Sequence, residues 1–457
     1  MEDTKLARSI GLVGAVAITV GCVIGMSIFV LIGDMASLAG PALPLAFLFA
    51  LIPALFNVIT VAQLGSAIPR AGGGYVFTSR IISPFWGLFT SWFIILAIIG
   101  ALSTVGVGLA QYVNEYLPFG LSDTLTAVLI VGAFVLVNAV GLVFAEAVQI
   151  IMVGQMIIAL LIFGAWGLFG AEGAAGEPAP FFIGGFSSIA LASVLCYFSY
   201  IGFATIAELG EEMRHPKENI PRSIGIAAVI IFILYALISV VFNKVMGYNP
   251  DELAELGAPL TQAGWLFLPA WAVHFLSIGA LGAGLTSINA GVIGMPREIF
   301  AQSRDGMMPS LFQHVTKKQK TPIWAILAVF PPVMVLLLFN LGEDFYGFLA
   351  VGALLLTNIT IAFACMKLPK IYPDDYERSP FKISRGWLTF ISWAAVVTSG
   401  IFIVLILLDK QNLIIGAILA GWCVLIMLYY WARKRFMIRS GMDLEKLYST
   451  IPGYEED

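Results

Sequence analysis

The chain has 457 residues, 60% hydrophobic and 11% charged, with a formal charge of −4 and a mean hydropathy of +0.94. Soluble domains carry roughly 25% charged residues, so a water-soluble globular protein is excluded, and no basic surface points to nucleic acid. The cysteines, Cys22, Cys196, Cys365 and Cys423, all fall in apolar stretches and give neither a disulfide framework nor metal-ligand spacing. The charged start Met1–Ser9 leads into a full apolar span, so no cleavable leader is expected, and no lipidation motif is present.

Apolar stretches of about 20 residues, the length that crosses a bilayer core, recur twelve times. The first is expected over 9–39 and contains Gly21-Cys22-Val23-Ile24-Gly25-Met26-Ser27-Ile28-Phe29. Glycine in an apolar helix frees backbone amides and carbonyls that lipid cannot satisfy, which is tolerable only where they line a cavity. Spans at 42–67, 84–115, 124–142 and 145–170 follow. The sixth, 186–213, repeats the interruption in Tyr197-Phe198-Ser199-Tyr200-Ile201-Gly202-Phe203 and runs into Glu211-Glu212-Met213-Arg214-His215-Pro216. Its inner half holds Glu208, and an intramembrane carboxylate reads as functional by default, able to exchange a proton when burial raises its pKa. The remaining spans are expected at 222–246, 269–303, 322–341, 345–368, 387–408 and 412–432. Asn138, Asn289 and Asn358 are predicted to hydrogen-bond between helices.

With a cytoplasmic N-terminus, all of the 24 lysines and arginines except Lys244 and Lys410 sort to one side, as the positive-inside rule requires. Both termini are therefore expected in the cytoplasm of a multi-pass cell-membrane protein. The Gly/Ala/Pro/Glu linker Ala171–Pro180 divides the chain into spans one to five (1–170) and six to ten (171–368). Spans eleven and twelve (369–434) and a cytoplasmic tail (435–457) follow. Five spans is an odd number, so the second half sits inverted relative to the first, with an interrupted helix opening each. Paired interruptions of this kind point to a transporter's binding site. No nucleophile–base set, metal site or phosphate-binding loop emerges, so neither enzymatic activity nor a cofactor is expected.

These residues resemble the amino acid–polyamine–organocation transporter family. The resemblance is carried by Gly21-x-x-x-Gly25-Met26-Ser27-Ile28-Phe29 and by Ile68-Pro69-Arg70-Ala71-Gly72-Gly73-Gly74-Tyr75. It is carried further by Tyr200-Ile201-Gly202-Phe203 through Ile220-Pro221-Arg222, and by Arg297…Ala301…Arg304-Asp305-Gly306-Met307-Met308-Pro309. It implies an all-α integral membrane fold of twelve spans, a leucine-transporter-like five-plus-five inverted repeat with two C-terminal helices added. It also implies alternating-access transport of an amino acid or related amine. Half-helix N-termini suit a carboxylate, and in the family the first interruption takes that group while the sixth-span carbonyls take the amine. On this chain the carboxylate falls to Ile24, Gly25, Met26 and Ser27, and the amine to Phe198, Ser199 and Ile201, beside Gly202. Met26-Ser27 departs from the Gly-Ser-Gly or Gly-Thr-Gly common at this place.

The resemblance further makes Phe198 a gating aromatic and Gly291 a pocket wall with room for an apolar side chain. Gln155 stands where some proton-coupled relatives carry a lysine, which removes that mechanism. Thr286 and Ser287 have hydroxyls of the type that, with first-span carbonyls, coordinate sodium, although such hydroxyls commonly bond back to their own helix. Uncoupled exchange or facilitated diffusion, proton coupling through Glu208, and sodium coupling all stay open. So do the rival readings of a polyamine or amine transporter or channel and of a membrane amino acid sensor. An accessory subunit is neither implied nor excluded.

Overall fold

The structure is a computed structural model, described for residues 11–68, 72–116, 120–140, 146–171, 180–204, 214–315 and 322–440. The described residues form helices and connecting turns, without strands. Among them, nine helical stretches are long and apolar enough to cross a membrane, and Leu12–Gly21, Asp123–Ala139 and Ile323–Leu338 are shorter apolar helical stretches.

The first apolar stretch is not one helix. It divides into α1 (Leu12–Val23), α2 (Ser27–Val30) and α3 (Ile32–Ala39). Ile24 leaves helical geometry at ψ 85°, and the chain restarts at Ser27 on an N-cap, Met26, that lacks a capping side chain. A long helix, α4 (Leu43–Ala67), follows, and then a short one, α5 (Gly73–Ile81), entered through Gly72 at φ +81°. Helices α6 (Pro84–Tyr116), α7 (Asp123–Ala139) and α8 (Glu146–Gly170) complete the first half.

The sixth stretch opens as α9 (Gly185–Tyr197) and tightens into a 3₁₀ turn over Phe198–Ala204. A 3₁₀ segment inside a helix marks a local departure from the i→i+4 ladder. Glu208, Glu211 and Glu212 lie outside the described residues. The chain resumes as α10 (Pro216–Met246), α11 (Pro250–Ala254), α12 (Pro259–Trp265) and α13 (Ala270–Arg304). Next come α14 (Ile323–Leu327), α15 (Phe330–Leu338), α16 (Glu343–Ile371), α17 (Pro373–Arg378), α18 (Arg385–Leu408) and α19 (Leu413–Arg439).

Two of these elements differ from the sequence expectation. The stretch expected as one span at 322–341 is split between α14 and α15, because Pro331 and Pro332 cannot donate to the preceding turn. The last helix runs to Arg439 rather than 432, so the start of the expected tail at 435 is helical. Aromatic–cation pairs four residues apart support the extra turns: Arg435 stacks 3.5 Å over the Trp431 ring and Lys434 lies 5.9 Å over Tyr430.

The interior is set by close backbone approach. A Cβ built on Gly100 of α6 would lie 2.9 Å from the Tyr346 carbonyl oxygen and 3.0 Å from the Ala350 nitrogen of α16. Only glycine lets these two backbones touch, as small residues do between membrane helices. By contrast α18 and α19 expose Trp387, Phe390, Trp393, Val424 and Leu428, the apolar periphery expected where lipid is the solvent. Asn138 donates to Asn289 at 3.1 Å between α7 and α13, and Asn358 donates to the Tyr197 hydroxyl at 2.6 Å between α16 and α9.

Candidate functional site

Both interrupted helices meet at one tyrosine. Tyr235 of α10 is fully buried, and its hydroxyl faces the Val23 carbonyl at 3.3 Å and the Ser199 carbonyl at 3.0 Å. Val23 ends α1, and Ser199 lies in the 3₁₀ turn after α9. Each has a carbonyl that the interrupted ladder no longer fully serves. One phenolic proton is thus aimed at two such oxygens. The Ser27 hydroxyl faces the same phenol.

Around this point the first interruption keeps polar groups in an apolar setting. Ile24 still donates to Val20 at 2.9 Å and Gly25 to Val23 at 2.9 Å, while Met26 accepts from Phe29 and Val30 at 3.0 and 3.1 Å. The amides of Ser27 and Ile28 open α2, where a helix offers no partner four residues back. Ile24, Met26 and Ser27 are all buried. A Cβ built on Gly25 would lie 2.9 Å from the Ser287 Oγ of α13, so a third helix brings a hydroxyl against the break.

In the sixth stretch Phe198 and Ser199 are buried, and Ile201 and Gly202 are half-buried. Among the described residues the buried Ser199 Oγ finds no hydrogen-bond partner. Such a group carries the desolvation cost of an unmade bond, of order 1–3 kcal/mol, and it sits where the two interruptions converge. The neighbouring phenols are satisfied: Tyr200 donates to the Phe47 carbonyl and Tyr112 to the Phe29 carbonyl, both at 3.1 Å.

The structure does not gather every predicted residue here. Gln155 of α8 donates to the Phe275 carbonyl at 2.6 Å, and its Oε1 approaches a Cβ built on Gly279 at 3.3 Å. Gly279 and Ser287 are about 12 Å apart along α13 at 1.5 Å per residue, so Gln155 clamps α8 to α13 away from the break. It is Val153 of the same helix that meets Gly21. Thr286 donates to its own helix at Gly282 and Ala283, at 3.1 and 3.0 Å, which leaves Ser287 as the hydroxyl of that pair beside the break. The room expected at Gly291 is filled. A Cβ there would meet Leu102 Cδ2 at 2.8 Å, because the glycine serves close packing of α13 on α6.

Two of the sequence motifs meet at the opposite end of the interior from α11 and α12. Gly72, at φ +81°, lies against Ala301 and the Arg297 carbonyl, and Arg80 bonds Asp305 at 2.6 Å with side chains only 1% and 3% exposed. Nearby, Ser91 donates to the buried Glu298 carboxylate. Gln302 donates to Ser91 at 2.7 Å, and Trp92 donates to Gln302 at 3.0 Å.

Tyr235 and Glu298 were not singled out by sequence. A lone phenol in the middle of an apolar helix was the available signal for the first. For Glu298, the flanking arginines at 297 and 304 masked an acid that the fold buries. Tyr235→Phe is expected to remove the tie between the Val23 and Ser199 carbonyls, the former keeping its bond from Gly25, and to lower stability by about 0.5–1.5 kcal/mol. Thermal melts of the purified protein check this, and an unchanged midpoint would show that the phenol is not a tie.

The molecule is a polytopic helical membrane protein whose interior is organised around two discontinuous helices. The sequence profile described as "Amino acid permease" matches residues 10–429, and the chain belongs to that family, a family of amino acid transporters. It is 32% identical over 330 residues to an uncharacterized transporter of Mycobacterium tuberculosis, covering 71% of this chain and 72% of the relative. It is 26% identical over 446 residues to the branched-chain amino acid permease BcaP of Bacillus subtilis, covering 90% and 95%. It is also 27% identical over 405 residues to the mitochondrial cationic amino acid transporter 3 of Arabidopsis thaliana, covering 84% and 66%.

Proposed function

We propose that the protein is a secondary transporter that moves an amino acid across the cell membrane by alternating access, binding it where the first and sixth spans are interrupted. The single observation that carries this reading is the convergence at Tyr235 of the Val23 and Ser199 carbonyls. Beside it lies the unpartnered Ser199 Oγ. In this reading the chain spans the bilayer twelve times, with a five-plus-five inverted repeat and both termini cytoplasmic. The carboxylate lies at the free amides of Ser27 and Ile28 next to Gly25. The amine lies at the Ser199 and neighbouring carbonyls, with Phe198 closing over it.

The side chains at the two interruptions, Ile24, Met26, Phe198 and Ile201, are apolar. We therefore favour an apolar amino acid side chain, the class named in one relative, over the cationic class named in another. Exchange without an ion is our first choice for coupling. Proton coupling would fall to Glu208, and sodium coupling to Ser287 with first-span carbonyls.

Uptake of labelled leucine and arginine into proteoliposomes tests the reading, with internal amino acid, a pH gradient or a sodium gradient as the sole drive. Leucine uptake driven by internal amino acid supports it. Arginine uptake alone overturns the side-chain assignment, and saturable binding without uptake turns it into a sensor. Ser199→Ala separates a binding role from a structural one. In this reading the Ser199 Oγ bonds the amine alongside the carbonyls, and losing that bond weakens binding about tenfold or more, while removing an unsatisfied buried hydroxyl does not lower the melting temperature. A lower melting temperature with unchanged affinity would make Ser199 structural.

A further inference from the structure

We infer that the last two turns of α19 form a headgroup site for an anionic phospholipid, made by Lys434, Arg435 and Arg439. All three side chains are exposed, and among the described residues no ion pair engages them. Arg435 and Arg439 lie one turn apart on the face that begins with Trp431, and Lys434 stands on the adjoining face below Tyr430. Helical side chains lean toward the N-terminus of their helix. On the terminal turns of a membrane helix this tilt carries charge back toward the bilayer rather than out into the water.

The ring contacts show that tilt directly. Arg435 reaches back 3.5 Å over Trp431, and Lys434 lies 5.9 Å over Tyr430. Tryptophan and tyrosine settle at headgroup depth, so the cations are held in the phosphate plane. That placement favours a lipid over a soluble anion, and charge complementarity favours an anionic lipid, each basic residue contributing about fivefold in affinity at such a surface.

The site is joined to the interior. One residue before the cluster, Arg433 donates to the Gly306 carbonyl at 2.7 Å and the Met308 carbonyl at 3.3 Å, and Tyr429 donates to the Met307 carbonyl at 2.8 Å. The turn so held begins at Asp305, whose other side is bonded to Arg80. Lipid occupancy at α19 therefore steadies the turn that closes α13, and its effect should register as stability of the whole protein. The inference rests on the chain lying in a bilayer and not on which amino acid it carries.

The test uses the full chain in nanodiscs of phosphatidylcholine alone or mixed with phosphatidylglycerol, read by thermal melting and by native mass spectrometry of retained lipid. The wild type should melt higher in the mixed discs and retain phosphatidylglycerol. The triple variant Lys434→Gln, Arg435→Gln, Arg439→Gln should lose the shift and retain on the order of a hundredfold less of that lipid. The charge-keeping variant Lys434→Arg, Arg435→Lys, Arg439→Lys should behave as wild type, which separates loss of charge from misfolding. Equal shifts in wild type and the glutamine variant would overturn the site. So would a shift of the same size produced by inorganic phosphate in detergent, since that would make the ligand a soluble anion.

Discussion

Replacing Arg80 with alanine is expected to destabilise the protein by about 3–5 kcal/mol, the cost of stranding one member of a buried ion pair. The pair is short, at 2.6 Å, and both side chains are nearly inaccessible, so water cannot take over for the lost guanidinium. Arg80 also donates to Ser79 at 3.0 Å, which adds to the loss. The double variant Arg80→Leu with Asp305→Leu should recover much of the stability, because two apolar groups of similar volume avoid the desolvation that the charges suffer. Thermal melting in one detergent measures both. If the single variant melts like wild type, the bridge does not hold the turn after α13 in solution.

Gly25→Leu is expected to cut transport by about a hundredfold, since displacements of about 1 Å at a binding centre cost that much, while the fold survives. Even a methyl group at this position would sit 2.9 Å from Ser287 Oγ, and leucine adds further carbons among the free amides of α2. Gly25→Ala tests the contact itself. It should impair uptake less, and pairing it with Ser287→Ala should restore part of the loss by removing the oxygen in the way, the coupling expected of touching residues. Uptake and melting temperature measured on all three variants distinguish a blocked site from a damaged fold. Full uptake by Gly25→Leu would place the substrate elsewhere.

The helical architecture was legible because lipid permits so few alternatives. An apolar stretch of sufficient length must satisfy its own backbone, so α4, α6, α8, α13 and α16 followed from hydropathy alone. Glycine spacing located the break between Val23 and Ser27 for the same reason. The short helices α11, α12 and α17 were not foreseen, since they lie in polar connections where length and hydropathy carry no signal. The split between α14 and α15 was readable in Pro331-Pro332 but was hidden by the apolar run around it.

At the site, backbone-defined features read well and side-chain geometry did not. Gly25 and Ser199 stand at the two interruptions as expected. Gly291 misled because a glycine looks the same whether it opens a pocket or admits a neighbour, and here Leu102 occupies the space. Gln155 is legible only through the lysine it replaces, and the sequence holds no signal that its amide is spent on the Phe275 carbonyl. Tyr235 escaped notice because its importance lies in two carbonyls far apart in sequence, and no local pattern encodes that.

The two parts of the first stretch lean on different supports. The part before Ile24, α1, packs on α10 and on the 3₁₀ turn Phe198–Ala204 and touches α8, whereas α2 and α3 pack on α6, α9, α11 and α12. Gly108 of α6 is pressed against Val30 and Gly33 against the Leu253 carbonyl, with no room for a side chain at either place. The part after Met26 is therefore welded to its surroundings, while the part before Ile24 rests on α10 and on the 3₁₀ turn of the other interrupted stretch. In the alternating-access reading proposed above, α1 would swing as a rigid arm about the Ile24–Met26 elbow without disturbing the welded seam, the economy expected of hinge motions. Tyr235, seated on α10, would travel with the arm or be the bond that the swing breaks.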